Sequence, residues 1–271
     1  MYRDLRILSA RPSEEEEQQV PHKLFGCLDG ASACSAADWA AMARTAIDEA
    51  HRDSRLPVLV GGTGLYMRTL LDGIAPVPPI DPAIRVQARA MPAQQAVSML
   101  AQLDPAAAQR INPNDKTRIA RALEVVMSTG QTLADWQGQT SGGINDQVRI
   151  VPLILLPPRD WIRVRCDARL EVMLETGAIA EVQALLARKL DPDLPVMRAI
   201  GVAEIAAILA DPSTTNAMTE QAKAATRQYA KRQYTWFRNQ PPEHWPRHSE
   251  QLNDENIIEL AIKLRDMTLT T

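Results

Sequence analysis

Apolar positions change their spacing abruptly in the first third of the chain. An unbroken apolar run over residues 56–60 stops at Gly61-Gly62-Thr63-Gly64, and helical spacing follows over residues 65–71. This change predicts a buried strand, a tight loop and a helix, the basic joint of a parallel α/β sheet. The glycines would let a ligand approach the backbone, and Thr63 would lie at a helix start that favours anions. A tight connection with Thr63 as a plain N-cap fits the same spacing equally well.

Helical spacing dominates the middle of the chain, from a proline-rich segment at residues 76–82 to about Trp136. The prolines indicate a hinge, and residues 139–143 have the composition of a flexible return linker. A second apolar strand is predicted at residues 149–156, before further long helices. We therefore predict a core formed by residues 1–78 and 146–271, with an all-helical insertion at residues 79–145.

The last strong helix, predicted at residues 219–239, is rich in cations and carries several aromatic side chains. Lys223, Arg227 and Lys231 recur four apart, so they form one stripe on a helix. A cationic stripe beside aromatic rings such as Trp236 suits a phosphate backbone and an unstacked base. The same pattern is also typical of an amphipathic helix with a solvated basic face and an aromatic core face.

The composition is that of a globular protein, with 45% hydrophobic and 23% charged residues among 271. The formal net charge of −3 means that any nucleic-acid site has to be a local patch. We expect a cytoplasmic protein, because no apolar run has membrane-spanning length and no signal-peptide pattern is present. Cys27, Cys34 and Cys166 fit no metal spacing, and the sequence contains no zinc-protease motif, nucleophile elbow or Gly-x₄-Gly-Lys-Ser/Thr phosphate loop.

Short motifs in a fixed order extend over nearly the whole chain. None is specific alone, but as an ordered set they resemble the motifs of the tRNA dimethylallyltransferases, also called tRNA isopentenyltransferases. The matching motifs are Tyr2-Arg3-Asp4-Leu5, Ala10-Arg11-Pro12, Pro21-His22, Val60-Gly61-Gly62-Thr63-Gly64-Leu65-Tyr66, Asp81-Pro82 with Arg85, Asn112-Pro113-Asn114-Asp115, Arg118, Arg121-Ala122-Leu123-Glu124-Val125, Ala199-Ile200-Gly201 with Glu204, Thr226-Arg227-Gln228, Lys231-Arg232-Gln233 and Thr235-Trp236-Phe237-Arg238.

The resemblance implies an enzyme that moves a dimethylallyl group from dimethylallyl diphosphate to N6 of adenosine-37, in tRNAs that read codons beginning with U. Its fold class would be α/β, with a P-loop-NTPase-like parallel sheet and a helical insertion that clamps the anticodon stem-loop. The family uses Mg²⁺, has a nucleotide-binding type of core and flips the target base into a channel. We expect a monomer that acts on tRNA and has no membrane partner.

Site residues follow from the resemblance motif by motif. Thr63 and Arg198 are the expected catalytic residues, with Thr63 at the reaction centre and Arg198 near the diphosphate leaving group. The expected tRNA-binding residues are Thr63, Arg85, Thr117, Arg118, Arg121, Arg198, Gly201, Glu204, Lys231, Arg232, Gln233, Trp236 and Arg238.

The chain departs from the family pattern before Tyr2. Family members carry a first strand, a phosphate loop and a general-base Asp upstream of the matching tyrosine, and we expect these to be missing here through N-terminal truncation. Loss of the phosphate loop or of the general-base Asp typically lowers the rate by a factor on the order of 10² to 10⁴. An impaired enzyme is therefore expected. The alternatives are a non-catalytic tRNA-binding remnant and, less favoured, a relative of P-loop nucleotide kinases.

Overall fold

The computed structural model describes residues 1–269 and divides the chain into two compact units. The first unit contains Met1–Met67 and the chain from Arg149 onward, and the second contains Arg68–Val148. The helices are α1 (Glu14–Gln19), α2 (Ala36–Arg52), α3 (Gly64–Asp72), α4 (Pro82–Ala90), α5 (Ala93–Leu103), α6 (Pro105–Arg110), α7 (Lys116–Thr129), α8 (Leu133–Gln137), α9 (Arg159–Met173), α10 (Ile179–Ala187), α11 (Val202–Ala210), α12 (Thr215–Asn239) and α13 (Asp254–Leu269). A π-helical turn, Leu174–Ala178, joins α9 to α10, and a 3₁₀ turn, Pro212–Thr214, precedes α12.

The sheet is much smaller than the sequence predicts. Within residues 1–269, the strands are β1 (Ile154–Leu155) and β2 (Arg247–His248), which pair in parallel, and an isolated parallel bridge joins Tyr2 to Leu28. The parallel direction agrees with the α/β prediction, but the extent does not. Most of the predicted strand at residues 149–156 is irregular, and the pairing with β2 is limited to Ile154–Leu155, next to which Ile154 and Leu156 donate backbone hydrogen bonds to the carbonyls of Pro246 and His248.

The prediction of a buried central strand at residues 56–60 is wrong. This segment (the 56–60 segment below) has no assigned secondary structure, and Val58 and Val60 are 76% and 78% exposed. In the part of the chain that the structure describes, none of its backbone groups forms a hydrogen bond. A β-branched run becomes a strand where another strand pairs with it, and within residues 1–269 none of the strands pairs with this segment.

The core of the first unit lies around α10 and α11. Val182 and Leu185 on α10, and Val202 and Ile205 on α11, are buried there with three-residue spacing, as one face of a helix allows. The N-terminal segment is fixed to this core by the carboxylate of Glu181 on α10. It accepts hydrogen bonds from three successive backbone N–H groups, those of Arg6, Ile7 and Leu8.

The second unit confirms the helices predicted for the insertion. Asp104 and Asp115 accept hydrogen bonds from backbone N–H groups in the first turns of α6 and α7, and Gly130 ends α7 with a left-handed φ of 71°. The predicted insertion limits, 79 and 145, lie inside this unit, which begins at Arg68 and ends at Val148.

Helix α13 lies near the C-terminus, and none of its residues is buried. Ile258 is 60% exposed and Ile262 is 45% exposed. None of the helices within residues 1–269 combines the length and the apolar character needed to span a membrane.

Candidate functional site

Gly61, Gly62, Thr63 and Gly64, which we call the glycine loop, pack directly on α12. A Cβ atom at Gly62 would overlap the Gln233 amide, and one at Gly64 would overlap the Trp236 indole. Close approach of the rigid indole therefore requires glycine at Gly64, whereas at Gly62 the flexible end of Gln233 would have to shift; φ is ordinary at both positions. The loop turns into α3 at once, because the Thr63 carbonyl accepts hydrogen bonds from Tyr66 and Met67.

The Thr63 side chain points to the same helix. Its Oγ1 lies 3.3 Å from the hydroxyl oxygen of Tyr229, and Thr63 is exposed. Behind this pair, Tyr66 stacks at a tilt on Trp39, with ring centroids 5.3 Å apart, and donates a hydrogen bond to the carbonyl of Cys34. Burial, and secondarily nearby ionisable groups that include Tyr229, raises the pKa of Tyr66. The Tyr66 side chain is therefore a neutral hydrogen-bonding group at neutral pH.

Tyr229, Gln233 and Trp236 recur at i, i+4 and i+7, so they share one face of α12 beneath the glycine loop. The structure thus brings together Thr63, Gln233 and Trp236 from the expected site. Sequence reasoning missed Tyr229 as a site residue, although its spacing from Gln233 and Trp236 carries the signal. The indole of Trp236 is itself packed edge-on against Phe237, with ring centroids 4.8 Å apart.

The predicted cationic stripe of α12 is divided by its partners. Lys223 forms ion pairs with Glu171 and Glu220 at 2.6 and 3.0 Å, and Arg227 pairs with Asp167 at 2.8 Å. The Glu171 hydrogen bond, followed by that of Glu220, raises the pKa of Lys223. The first two cations of the stripe are therefore paired inside the fold, so the stripe as a whole is neither open to a phosphate backbone nor a fully solvated face.

The C-terminal half of α12 has a different charge environment. Lys231, Arg232 and Arg238 are exposed, and none of them pairs with a carboxylate within residues 1–269. The Arg232 guanidinium lies 5.6 Å from the centroid of the Tyr229 ring, which places it beside the glycine loop contact. These cations are free to bind an external anion.

Arg198, Gly201 and Glu204 lie at the turn into α11. The Arg198 side chain is exposed and forms no hydrogen bond or ion pair within the described residues. Gly201 has a left-handed φ of 95°, and a Cβ there would lie 2.7 Å from Leu8. Glu204 accepts a hydrogen bond from the Gly201 N–H and another from Gln221, so its carboxylate caps α11 and ties it to α12.

The other expected tRNA-binding residues lie in the helical unit. Arg85 is exposed on α4, and Thr117 and Arg118 are exposed in the first turn of α7. Arg118 pairs with Asp115 at 3.4 Å while remaining 77% exposed. It is therefore accessible in spite of its partner.

Arg121 on α7 is held by an internal carboxylate. Its guanidinium pairs with the carboxylate of Glu124 at 3.3 Å. The Glu124 side chain is 2% exposed and also accepts a 2.7 Å hydrogen bond from Arg89. A carboxylate buried to this degree needs such partners, so Arg121 has a structural function on α7.

The described residues, 1–269, contain no group of three or more His, Cys, Asp or Glu side chains placed to hold a metal ion. Within these residues, the side chains therefore offer no ready-made ligand set for the predicted Mg²⁺. The cofactor remains a prediction from the resemblance.

Comparison with known proteins adds independent information to this geometry. The family model described as IPP transferase matches residues 1–240. The tRNA dimethylallyltransferase of Sphingopyxis alaskensis is 62% identical over 270 residues, covering 100% of this chain and 88% of its own length. A full-length tRNA isopentenylpyrophosphate transferase from Bacillus halodurans superposes with a TM-score of 0.66 at 31% identity, over 98% of this chain and 86% of its own. A eukaryotic dimethylallyltransferase whose structures show it acting on tRNA gives a TM-score of 0.70 at 25% identity. The match covers 87% of this chain and 60% of that chain.

Proposed function

The chain belongs to the IPP transferase family, and from this membership we propose that it transfers a dimethylallyl group from dimethylallyl diphosphate to N6 of adenosine-37 in tRNA. In this reaction the adenine amine forms a bond to the allylic carbon. The carbon–oxygen bond to the diphosphate breaks, and the amine loses a proton. The chain's residues bind and orient both reactants.

The observation that supports the proposal most strongly is the contact between the glycine loop and α12. It brings the hydroxyl of Thr63 against a helix that carries the Gln233 amide, the Trp236 indole and three exposed cations. A hydroxyl and an amide can recognise a base edge, an aromatic ring can stack on a base, and cations bind phosphates. In the proposal, Thr63 orients the adenine amine.

Arg198 supplies a positive charge for the diphosphate leaving group. Its guanidinium is exposed and has no internal partner within residues 1–269, so it is available for the charge that develops on the diphosphate. In the helical unit, exposed Arg85, Thr117 and Arg118 are proposed to contact the anticodon stem through its phosphates.

The test combines a binding and a transfer measurement on the same protein. Fluorescent tRNA is titrated at several salt concentrations, and product is measured as isopentenyladenosine by mass spectrometry after incubation with dimethylallyl diphosphate and Mg²⁺. We expect the unaltered protein to form isopentenyladenosine. We expect Thr63→Ala to bind tRNA but to form no isopentenyladenosine. Salt-dependent binding without any product would instead support the alternative, a tRNA-binding protein without transferase activity. Absence of both would reject both functions.

A further inference from the structure

Helices α9 and α12 are antiparallel, and their charged rows are in register over two turns. Glu171 on α9 binds Lys223 on α12, and one turn along, Asp167 binds Arg227. On each helix the two residues are four apart, so each belongs to one i, i+4 row. An acid faces a base at both positions, and these pairs fix how the two helices align.

The next turn breaks this pattern. Four residues before Asp167 the α9 row has Arg163, and four residues after Arg227 the α12 row has Lys231. One turn further, the Arg159 guanidinium lies 4.8 Å from the centroid of the Tyr234 ring on α12, so the antiparallel alignment continues to this end. The register thus places two cations alongside each other where the preceding turns place a cation and a carboxylate.

We propose that Arg159 and Arg163 on α9 form, with Lys231 and Arg238 on α12, a phosphate-binding surface for the sugar-phosphate backbone of RNA. We call it the α9–α12 basic edge. The inference rests on the proposed function for the identity of the RNA, and it adds the two α9 arginines, which no sequence motif indicated.

Two properties of these four residues support a phosphate as the ligand. All four are exposed, and none forms an ion pair with a carboxylate within residues 1–269. Like charges alongside each other are unfavourable until an external anion lies between them, and phosphate oxygens accept bidentate hydrogen bonds from arginine. Asp160 is the acid nearest in sequence to Arg159, and it forms no ion pair with it.

The chain offers a matched control on the same helix. Arg165 and Arg169 are also exposed and four apart, and Arg165 also lies over an aromatic ring, 4.7 Å from the centroid of Trp161. They are half a turn away from the Arg159 and Arg163 row, so they lie on a different side of α9. Removing either pair changes the net charge equally.

The experiment measures tRNA binding by fluorescence anisotropy between about 50 and 200 mM KCl, where phosphate contacts dominate the salt dependence. For R159Q/R163Q we expect the slope of log affinity against log salt to fall by about 2, and the affinity near 0.1 M salt to fall roughly 10-fold. The control R165Q/R169Q should change affinity by less than about 2-fold. R159K/R163K, which keeps both charges, should retain most of the slope.

Each other outcome has a definite meaning. Equal losses in the two double variants would show a general charge effect and overturn the α9–α12 basic edge. An unchanged slope in R159Q/R163Q, with normal binding by the unaltered protein, would reject this surface and leave the proposed function intact. A slope lost in R159K/R163K as well would indicate a packing function for the arginines and reject phosphate binding. If the unaltered protein does not bind tRNA, the proposed function fails and this surface fails with it.

Discussion

Two adjacent segments of the chain, the 56–60 segment and the glycine loop, have opposite environments. The apolar 56–60 segment is exposed and forms no backbone hydrogen bond within residues 1–269, although its composition is typical of a buried strand. The glycine loop has no large apolar side chain, yet Gly64 is buried against the Trp236 indole. Burial here follows the presence of a packing partner, because hydrophobic composition alone provides none.

The same lesson applies to charge along α12. Lys223 and Lys231 are identical residues in one stripe, but the first is 14% exposed between two glutamates and the second is exposed without a carboxylate partner among the described residues. What differs is the α9 residue that lies alongside. The function of a cation is therefore decided by its neighbour across the helix pair.

The largest expected effect is from Gly64→Ala, which would remove the difference between the two segments by forcing the glycine loop off α12. The added Cβ overlaps a rigid indole, so we expect a loss of about 1 to 3 kcal/mol in the free energy of unfolding, measured by chemical denaturation. Gly138→Ala is the control, because its Cβ would have 3.4 Å to the nearest atom and its φ of −71° suits alanine. An equally stable Gly64→Ala protein would contradict the close packing described here.

An intermediate effect is expected from Asp167→Asn. This change tests whether the ion pair between Asp167 on α9 and Arg227 on α12 stabilises the packing of these two helices. The change weakens a half-buried ion pair, so we expect about 1 kcal/mol of destabilisation. Lys23→Gln removes the more exposed pair with Glu49 and should cost less than about 0.5 kcal/mol. Equal unfolding free energies for both variants would show that the Asp167 pair does not stabilise the helix contact.

A small effect is expected from Val58→Thr in the 56–60 segment. Because Val58 is 76% exposed, the free energy of unfolding should change by less than about 0.5 kcal/mol. A loss above about 2 kcal/mol, as for truncation of a core side chain, would mean that the segment is buried in solution and that its described exposure is wrong.

The smallest effect concerns alkaline pH and the Lys223 ion pairs. Hydrogen bonds from Lys223 to Glu171 and Glu220 raise its pKa above the ordinary 10.5. The resulting stability is fully present below that pH and is lost as the pH rises through the raised pKa of the folded state. The unaltered protein should therefore lose thermal stability as the pH rises from 9 to about 12, and Glu171→Gln should lose less over the same range. The measurement is thermal unfolding at intervals of pH. Identical pH profiles would exclude a contribution from this pair.

Much of the helical part of the fold was predictable because its signals are local. Ser35 with Asp38 forms a capping box at the start of α2, and Asp115 and Gly130 cap the two ends of α7, all through residues that are close in sequence. Among the site residues, Thr63, Gln233 and Trp236 were predicted by resemblance and come together, whereas the contribution of Tyr229 required the observed position of the loop on α12. The sheet was overpredicted because a strand depends on a partner that may lie anywhere in the sequence.

The sequence alone determined the positions of the helices, the glycines of the loop and the order of motifs that identifies the family. These features depend on residues within a few positions of one another, where caps, spacing and composition act directly. The tertiary structure decided which apolar run is buried, which cations of α12 are neutralised and which remain free. Those outcomes depend on what α9 and the glycine loop place beside each side chain, and residues far apart in sequence supply the packing and the charge that determine them.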